Sequence, residues 1–253
     1  MSSIVNVLVV GASGNIGPAI VQHLLSANFN VSLLSRDGSI HSAFPSIKVF
    51  QTDYSEASLA QACKGQDAIV STMSALATMT QAKIIDAAIL NGVKRFIPSD
   101  FGLNTPDMSA IEKHLPALYQ RLKPKKQILD YLDERASQNL DFTWTAIGAA
   151  PLFDWVLSKN LVICQVNQIL ETAQRATGQK FEVTKVDAEA WKKEGVEMLQ
   201  RGDFRGIGRF WGWFLCKDGE GHGAPEKEII VGNEVLELPQ EDMEEVIRET
   251  TGV

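Results

Sequence analysis

The stretch VLVVGASGNIGPAI, residues 7–20, joins four apolar residues to a glycine-rich turn and then to an amphipathic segment. A continuous apolar run is typical of a strand that is buried on both faces of a parallel sheet. The pattern after the turn predicts a helix over 16–27, with Pro18 in its first turn, where proline is tolerated. The stretch therefore predicts the first strand, turn and helix of an α/β domain.

The turn itself has the spacing GxxGxxG, formed by Gly11, Gly14 and Gly17. Such a turn lets the backbone approach a pyrophosphate, and the following helix directs its positive end at that charge. We expect Gly11 to permit the tight turn, Gly14 to leave room for phosphates and Gly17 to let the helix pack on the strand. A turn that uses glycine for geometry alone is the alternative, but its place directly after a buried strand favours a dinucleotide site.

The rest of the chain first alternates strands with helices and then becomes mostly helical. Strands are predicted at 4–10, 30–35, 47–51, 67–73, 94–99 and 142–148, and helices at 16–27, 55–63, 79–91 and 124–138. Beyond Pro151 the pattern predicts helices, one strand-like piece at 180–186 and a final helix at 239–251. This order predicts a doubly wound, Rossmann-type parallel sheet in residues 1–150 and a smaller, mostly helical C-terminal lobe in residues 151–253.

The end of the second strand bears on the choice of dinucleotide. An acidic residue there would bind the ribose 2′-hydroxyl of NAD. Here Ser35 and Arg36 take that place, and a planar guanidinium suits the 2′-phosphate of NADP. Asp37 follows directly, and we expect its side chain to point away from that of Arg36. The sequence therefore predicts NADP(H) as the cofactor.

Composition excludes several other classes of protein. A net charge of −7 argues against a nucleic-acid-binding surface. Cys63, Cys164 and Cys216 lie far apart, so we expect neither a disulfide framework nor a metal site. No apolar run approaches the ~20 residues of a membrane span, and the N-terminus lacks the pattern of a signal peptide. The expectation is a soluble, cytoplasmic protein without a membrane or nucleic-acid partner.

Longer motifs give the chain a resemblance to a known family. GASGNIG at 11–17 occurs together with QAKIIDAAILNGVKRFIPSDFG at 81–102. With these motifs the chain resembles the NmrA-like and isoflavone reductase-like group of atypical short-chain dehydrogenases/reductases. Its fungal branch is the most similar, through LPALYQRLKPKKQILDYL, APLFDW and GNEVLELPQEDMEEVI. The resemblance covers nearly the whole chain and implies NADPH in the N-terminal domain with substrate under the C-terminal lobe.

The resemblance also implies which residues line the cofactor. Ser13, Asn15 and Ile16 would line the pyrophosphate, and Arg36 would bind the 2′-phosphate. Residues after the fourth and fifth strands would lie along the ribose and nicotinamide: Met73, Ser74, Ser99 and Phe101.

For catalysis, the resemblance implies a lysine at the start of the next helix, and counting back from ILDYL identifies Lys125. Lys125 would then assist proton transfer and contact the cofactor, with Pro124 as the first helical residue and Lys126 facing solvent. The alternative is that Lys125 is a solvated lysine in a basic run. Tyr119 and Lys123 match the Tyr-x-x-x-Lys pattern of other short-chain reductases, but a helix-interior Pro124 would clash with the preceding turn. His114, expected in a loop, is another possible acid.

Two departures from the family leave the function open. Leu152 stands where relatives carry an aromatic residue near the nicotinamide, and several tens of residues of the substrate lobe are missing after FDW. We expect an NADPH-dependent reductase that transfers hydride to a small aromatic or conjugated carbonyl-type substrate. The alternative is a non-catalytic NADP-binding sensor that binds a protein partner.

Overall fold

The structure, a computed structural model, describes residues 4–36, 44–102, 105, 108–114, 116–148, 167–178, 180, 187–203, 205–206, 209 and 248. Six strands form one sheet in the order β3-β2-β1-β4-β5-β6, and every neighbouring pair is parallel. The strands are β1 Asn6–Val10, β2 Asn30–Ser35, β3 Lys48–Gln51, β4 Ala68–Ser71, β5 Arg95–Ile97 and β6 Thr143–Trp144. This strand order is that of a doubly wound Rossmann sheet, so the predicted fold class is confirmed.

Helices connect the strands, and two more helices follow β6 in the described part of the chain. They are α1 Gly17–Ser26, α2 Glu56–Cys63, α3 Gln81–Leu90, α4 Ser109–His114, α5 Pro116–Gln138, α6 Asn167–Thr177 and α7 Ala188–Gln200. A short 3₁₀ helix, Ala75–Thr80, precedes α3.

The core lies on both faces of the sheet, as the unbroken apolar run of β1 predicts. Leu8 and Val10 point to the face covered by α2, α3 and α5. Val7 and Val9 point to the opposite face, where they pack near Val21 of α1. All four strand residues are at most 2% exposed. Because successive side chains of a strand alternate between faces, a strand buried on both sides requires apolar residues throughout.

The start of α5 differs from the prediction. The helix begins at Pro116, so Pro124 is an interior residue and not the first residue of a helix. Pro124 has no N–H to donate to the carbonyl of Gln120. Gln120 is exposed, so water is available to that turn of the helix. His114 also differs, because it ends α4 and does not lie in a loop.

The chain divides into two compact units, one of residues 1–108 and 119–150, the other of residues 109–118 and 151–253. In the second unit, α7 begins with an N-cap in which Asp187 Oδ1 accepts a hydrogen bond of 2.7 Å from the N–H of Ala190. Gly206 packs on the same helix, where a Cβ would lie 2.4 Å from the carbonyl oxygen of Gly195.

Several sequence predictions lie outside the described residues. They concern Asp37, Leu152, the segment after FDW, most of the strand-like piece at 180–186, and almost all of the final helix at 239–251. Among the helices that are described, none is long and apolar enough to cross a membrane.

Candidate active site

A cavity of about 460 Å³ lies at the carboxyl ends of β1, β2 and β4. The strand order reverses between β1 and β4, and open α/β sheets bind ligands in the crevice at such a switch point. The lining residues are Gly11, Ala12, Ser13, Gly14, Leu33, Leu34, Ser35, Arg36, Tyr54, Thr72, Met73, Ser74 and Ala77. The cavity thus brings together Gly11, Ser13, Gly14, Arg36, Met73 and Ser74 from the predicted cofactor site.

Two glycines of the turn are required by the fold. Gly11 has a φ of +81°, and a Cβ on it would lie 2.8 Å from the carbonyl oxygen of Thr72. A Cβ on Gly17 would lie 2.5 Å from the carbonyl oxygen of Ala12. Gly17 therefore lets α1 pack closely on Ala12, in the turn that follows β1. The sequence analysis expected this contact on the strand itself. Backbone atoms surround both positions, so neither has room for a side chain.

Gly14 is different because its surroundings are open. It is exposed, and a Cβ there would lie 3.3 Å from the carbonyl oxygen of Gly11, a contact that a small shift relieves. The fold alone therefore does not require glycine at this position. A side chain on Gly14 would, however, enter the space beside the cavity that a bound group would occupy.

The N-terminus of α1 faces this turn without a side-chain cap. Its N-cap is Ile16, which makes no capping hydrogen bond through its side chain, and no acidic residue lies in the first turn. Pro18 lies in this first turn, as the sequence predicted. Asn15 is exposed beside it. A helix end with free N–H groups and no nearby carboxylate attracts phosphate. The turn and the helix end therefore fit the pyrophosphate of a dinucleotide.

Arg36 lies at the rim of the cavity with an exposed side chain. Beside it, burial raises the pKa of the Tyr54 hydroxyl above its ordinary value, and the positive charge of Arg36 partly opposes that rise. Tyr54 has a φ of 63°, and its N–H donates to Thr52 Oγ1 at 2.9 Å. Both side chains also line an open groove of about 650 Å³ that extends along α2. Arg36 and Tyr54 therefore place a cationic and an aromatic side chain where the cavity meets this groove.

The sequence analysis missed Tyr54. A signal was available, because Tyr54 closely follows β3 and the carboxyl ends of parallel strands share one edge of the sheet.

The segments after β4 and β5 are linked by partly buried hydrogen bonds. Ser99 Oγ donates to the carbonyl oxygen of Met73 at 2.7 Å. The N–H of Ser99 donates to Gln81 Oε1 at 2.9 Å, and Gln81 is 1% exposed. Ser99 thus lies outside the cavity lining but fixes Met73, which belongs to it. Phe101 packs against the apolar cluster on the α1 face of the sheet.

Lys125 lies on α5 next to the end of β5, away from the cavity lining. Its Nζ is 3.4 Å from Asp100 Oδ1, and its side chain is 19% exposed. The neighbouring Lys126 instead forms an exposed pair with Asp130, at 2.7 Å. Lys123 is exposed. Lys125 is therefore largely buried and lies beside a carboxylate, while Lys126 lies toward solvent as predicted.

Asp100 is a second residue that the sequence analysis missed. It is 4% exposed and accepts a hydrogen bond of 2.7 Å from Thr105 Oγ1, itself 2% exposed. The signal was its place in the SDFG motif directly after a predicted strand. Within the described part of the chain, no group of His, Cys, Asp and Glu side chains has the arrangement of a metal site.

Comparisons with known proteins agree with this site. A family profile described as NAD(P)H-binding matches residues 11–192. The oxidoreductase aprR of Aspergillus flavus is 32% identical over 297 aligned positions, which cover 96% of this chain and 97% of that protein. Since 96% of this chain is about 243 residues, about fifty positions of aprR have no counterpart here.

Other relatives come from plants. Isoflavone reductase homolog P3 of Arabidopsis thaliana is 28% identical over 154 positions, covering 56% of this chain and 47% of that protein. The solved structure of AtPrR2 with NADP⁺ and (+)-pinoresinol has a TM-score of 0.75 at 16% identity, covering 99% of this chain and 100% of that one. The profile covers more than half of the chain, and the similarity to aprR extends over nearly all of it. The chain belongs to the NAD(P)H-binding, isoflavone reductase-like family of oxidoreductases.

Proposed function

We propose that this protein is an NADPH-dependent reductase that acts on a small aromatic or conjugated carbonyl-type substrate. The observation that carries the proposal is the cavity at the switch point of the sheet, with Gly14 open toward it and Arg36 at its rim. We further propose that residues 1–150 bind the cofactor, that residues 151–253 form the substrate lobe and that the protein acts in the cytoplasm. The relatives named above are reductases and oxidoreductases, so they support this function over a non-catalytic regulator.

In this proposal, residues in and near the cavity each contact one part of the cofactor. Ser13, Asn15 and Ile16 bind the pyrophosphate at the N-terminus of α1. The guanidinium of Arg36 binds the 2′-phosphate that distinguishes NADP from NAD, through charge-assisted hydrogen bonds. Met73 and Ser74 lie along the ribose, and Ser99 and Phe101 lie toward the nicotinamide. AtPrR2, whose fold is shared, was solved with NADP⁺, which supports this choice of cofactor.

The bound cofactor supplies the hydride that forms the new C–H bond of the substrate. As that bond forms, the π bond of the acceptor breaks and negative charge develops on its far atom. Lys125 donates a proton from its ammonium to that atom and is left as a neutral amine, which regains a proton from water. Positioned general acids of this kind contribute about 10²- to 10⁴-fold to the rate. The substrate class is supported by the name of the relative P3, an isoflavone reductase homolog, and by the pinoresinol in the AtPrR2 structure.

The test combines cofactor binding with turnover. The unfolding midpoint of the purified protein is measured alone and with saturating NADPH, NADP⁺ or NADH, because a ligand at 100 times its Kd adds about 2.7 kcal/mol to stability. We expect a larger shift with the NADP forms than with NADH. We also expect NADPH oxidation with at least one member of a panel of aromatic enones and aldehydes.

The outcomes separate the two functions. Midpoint shifts together with turnover support the reductase. Shifts with both redox forms and no turnover across the panel would favour the sensor. No shift with any dinucleotide would contradict both.

A further inference from the structure

Asp100 is a buried carboxylate at the edge of the sheet that binds the cofactor in our proposal. It directly follows Ser99 after β5, and its side chain is 5% exposed. A carboxylate that is taken out of water must be compensated by hydrogen bonds or by an opposite charge. Here Thr105 Oγ1 donates to Oδ1 at 2.7 Å, and Lys125 Nζ lies 3.4 Å from the same oxygen. The negative charge of Asp100 therefore has one neutral and one charged partner.

The backbone around Asp100 is held in place. Its N–H donates to the carbonyl oxygen of Pro98 at 2.8 Å, which closes a tight turn. The preceding Ser99 is bonded on two sides, to Gln81 and to Met73. Asp100 is thus fixed by the same contacts that fix the ends of β4 and β5.

Lys125, in contrast, is a long side chain with many rotamers. Holding a lysine in one conformation costs side-chain entropy, so a defined Nζ position needs a partner. The turn after Asp100 also lies close, because a Cβ on Gly102 would be 3.7 Å from Nζ. An ammonium has three N–H donors. The contact with one carboxylate therefore leaves donor capacity for a substrate atom.

We propose that Asp100 is a positioning residue that holds the ammonium of Lys125 at the carboxyl end of β5, with Thr105 fixing the carboxylate. The proposal rests on the proposed function, in which Lys125 is the proton donor. Asp100 itself does not touch the reacting atoms. It acts by holding the ammonium of Lys125 in one place while the new C–H bond forms. A displacement of about 1 Å at such a group costs about 100-fold in rate.

The test variant is Asp100→Asn, which keeps the shape of the side chain and removes its charge. The matched control is Asp130→Asn, which removes the partner of the adjacent Lys126 on the same helix. For Asp100→Asn we expect kcat to fall about 10- to 100-fold while KM for NADPH changes less than about twofold. Asp130→Asn should leave both constants unchanged. Asp100→Glu, which keeps the charge, should recover part of the lost rate.

A second measurement does not depend on turnover. The protein is labelled briefly with an amine-directed reagent, and the labelled fraction of each lysine is read by mass spectrometry. Asp100→Asn should increase labelling of Lys125 several-fold and leave Lys126 unchanged. Asp130→Asn should do the reverse. If Asp100→Asn does not fold, Thr105→Val provides the comparison, because it removes the hydrogen bond that fixes the Asp100 carboxylate and should also increase labelling of Lys125.

The results distinguish the positioning role from its alternatives. Unchanged labelling of Lys125 in a folded Asp100→Asn protein would overturn the proposal. A parallel loss of kcat and NADPH binding would also overturn it, because it would mean a structural role. If the wild type turns over no acceptor, the proposed function fails, but the labelling still decides whether Asp100 holds Lys125.

Discussion

The glycine turn after β1 and the loop after β5 border the same edge of the sheet, but they are built by different means. At the turn, backbone atoms define the shape, and Gly11 and Gly17 are required because carbonyl oxygens lie within 3 Å of any Cβ. At the loop, buried side chains define the arrangement, through the contacts of Asp100 with Thr105 and Lys125. Added volume should therefore disrupt the first region, and lost charge should disrupt the second.

The largest expected effect is on turnover at the loop. Lys125→Met keeps most of the apolar stem and removes the ammonium, so kcat should fall about 10²- to 10⁴-fold if Lys125 is the proton donor. NADPH binding should change little, and Lys126→Met should behave as the wild type. Steady-state kinetics with the best acceptor from the panel gives the ratio. An unchanged kcat in Lys125→Met would contradict the role of Lys125 as proton donor, and with it the claim that the loop after β5 takes part in the chemistry.

The next effect is on stability at the turn. Gly17→Ala places a methyl group against the backbone of Ala12, and we expect a loss of about 3 kcal/mol, the upper part of the range for overpacking. Gly65→Ala is the matched control, because Gly65 has a φ of +76° but no atom within 4 Å of its Cβ. That change should cost only about 1 kcal/mol of backbone strain. Urea unfolding of the two variants gives both values, and equal losses would contradict the packing argument.

A smaller effect separates the cofactors. Arg36→Ala should weaken NADPH binding about 10- to 100-fold, since charged hydrogen bonds contribute about 1.5–3 kcal/mol. Binding of NADH should not change, because NADH has no 2′-phosphate. Calorimetric titration of the variant with both dinucleotides measures the two changes. A similar loss for both would mean that Arg36 acts on the shape of the site.

The smallest effect is expected at the opposite edge of the sheet. The backbone N–H groups of Asn6 and Val5 donate to Asp67 Oδ2 at 2.8 and 2.9 Å, and these bonds lower the pKa of Asp67 below its ordinary value. A lowered pKa stabilises the fold above the unfolded-state pKa of about 3.9, and that contribution disappears as pH falls through the folded-state pKa. Asp67→Asn should therefore cost about 1 kcal/mol at neutral pH.

The pH dependence provides the control for this prediction. The stability difference between wild type and Asp67→Asn should shrink below about pH 4, as denaturant unfolding across pH would show. NADPH binding at neutral pH should be unchanged, because Asp67 lies at the amino end of β4. A stability difference that persists undiminished at low pH would mean that the charge of Asp67 contributes nothing.

The sequence predicted the features that depend on local patterns. β2 occupies the predicted residues 30–35, because its apolar run is bounded by polar residues at both ends. The roles of Gly11 and Gly17 could be inferred because each depends on neighbouring backbone. The start of α5 was predicted wrongly. Pro124 was interpreted as the first residue of a helix, but an exposed turn of the helix tolerates this proline in its interior.

Long-range side-chain contacts were also missed. The place of Asp100 directly after a predicted strand was an available signal for a candidate residue, but only the fold brings Thr105 and Lys125 to it.

The central claim is that the turn around Gly14 holds the pyrophosphate of NADP(H). Calorimetric titration of NADPH into wild type and Gly14→Val tests it most directly, with the unfolding midpoint of each free protein as the check on folding. We predict saturable binding to the wild type and at least about 100-fold weaker binding to Gly14→Val, with a midpoint close to that of the wild type, because a Cβ at this position would lie 3.3 Å from the carbonyl oxygen of Gly11 and 3.6 Å from that of Thr72. Binding of equal strength to a folded Gly14→Val protein would show that the cofactor does not use this turn.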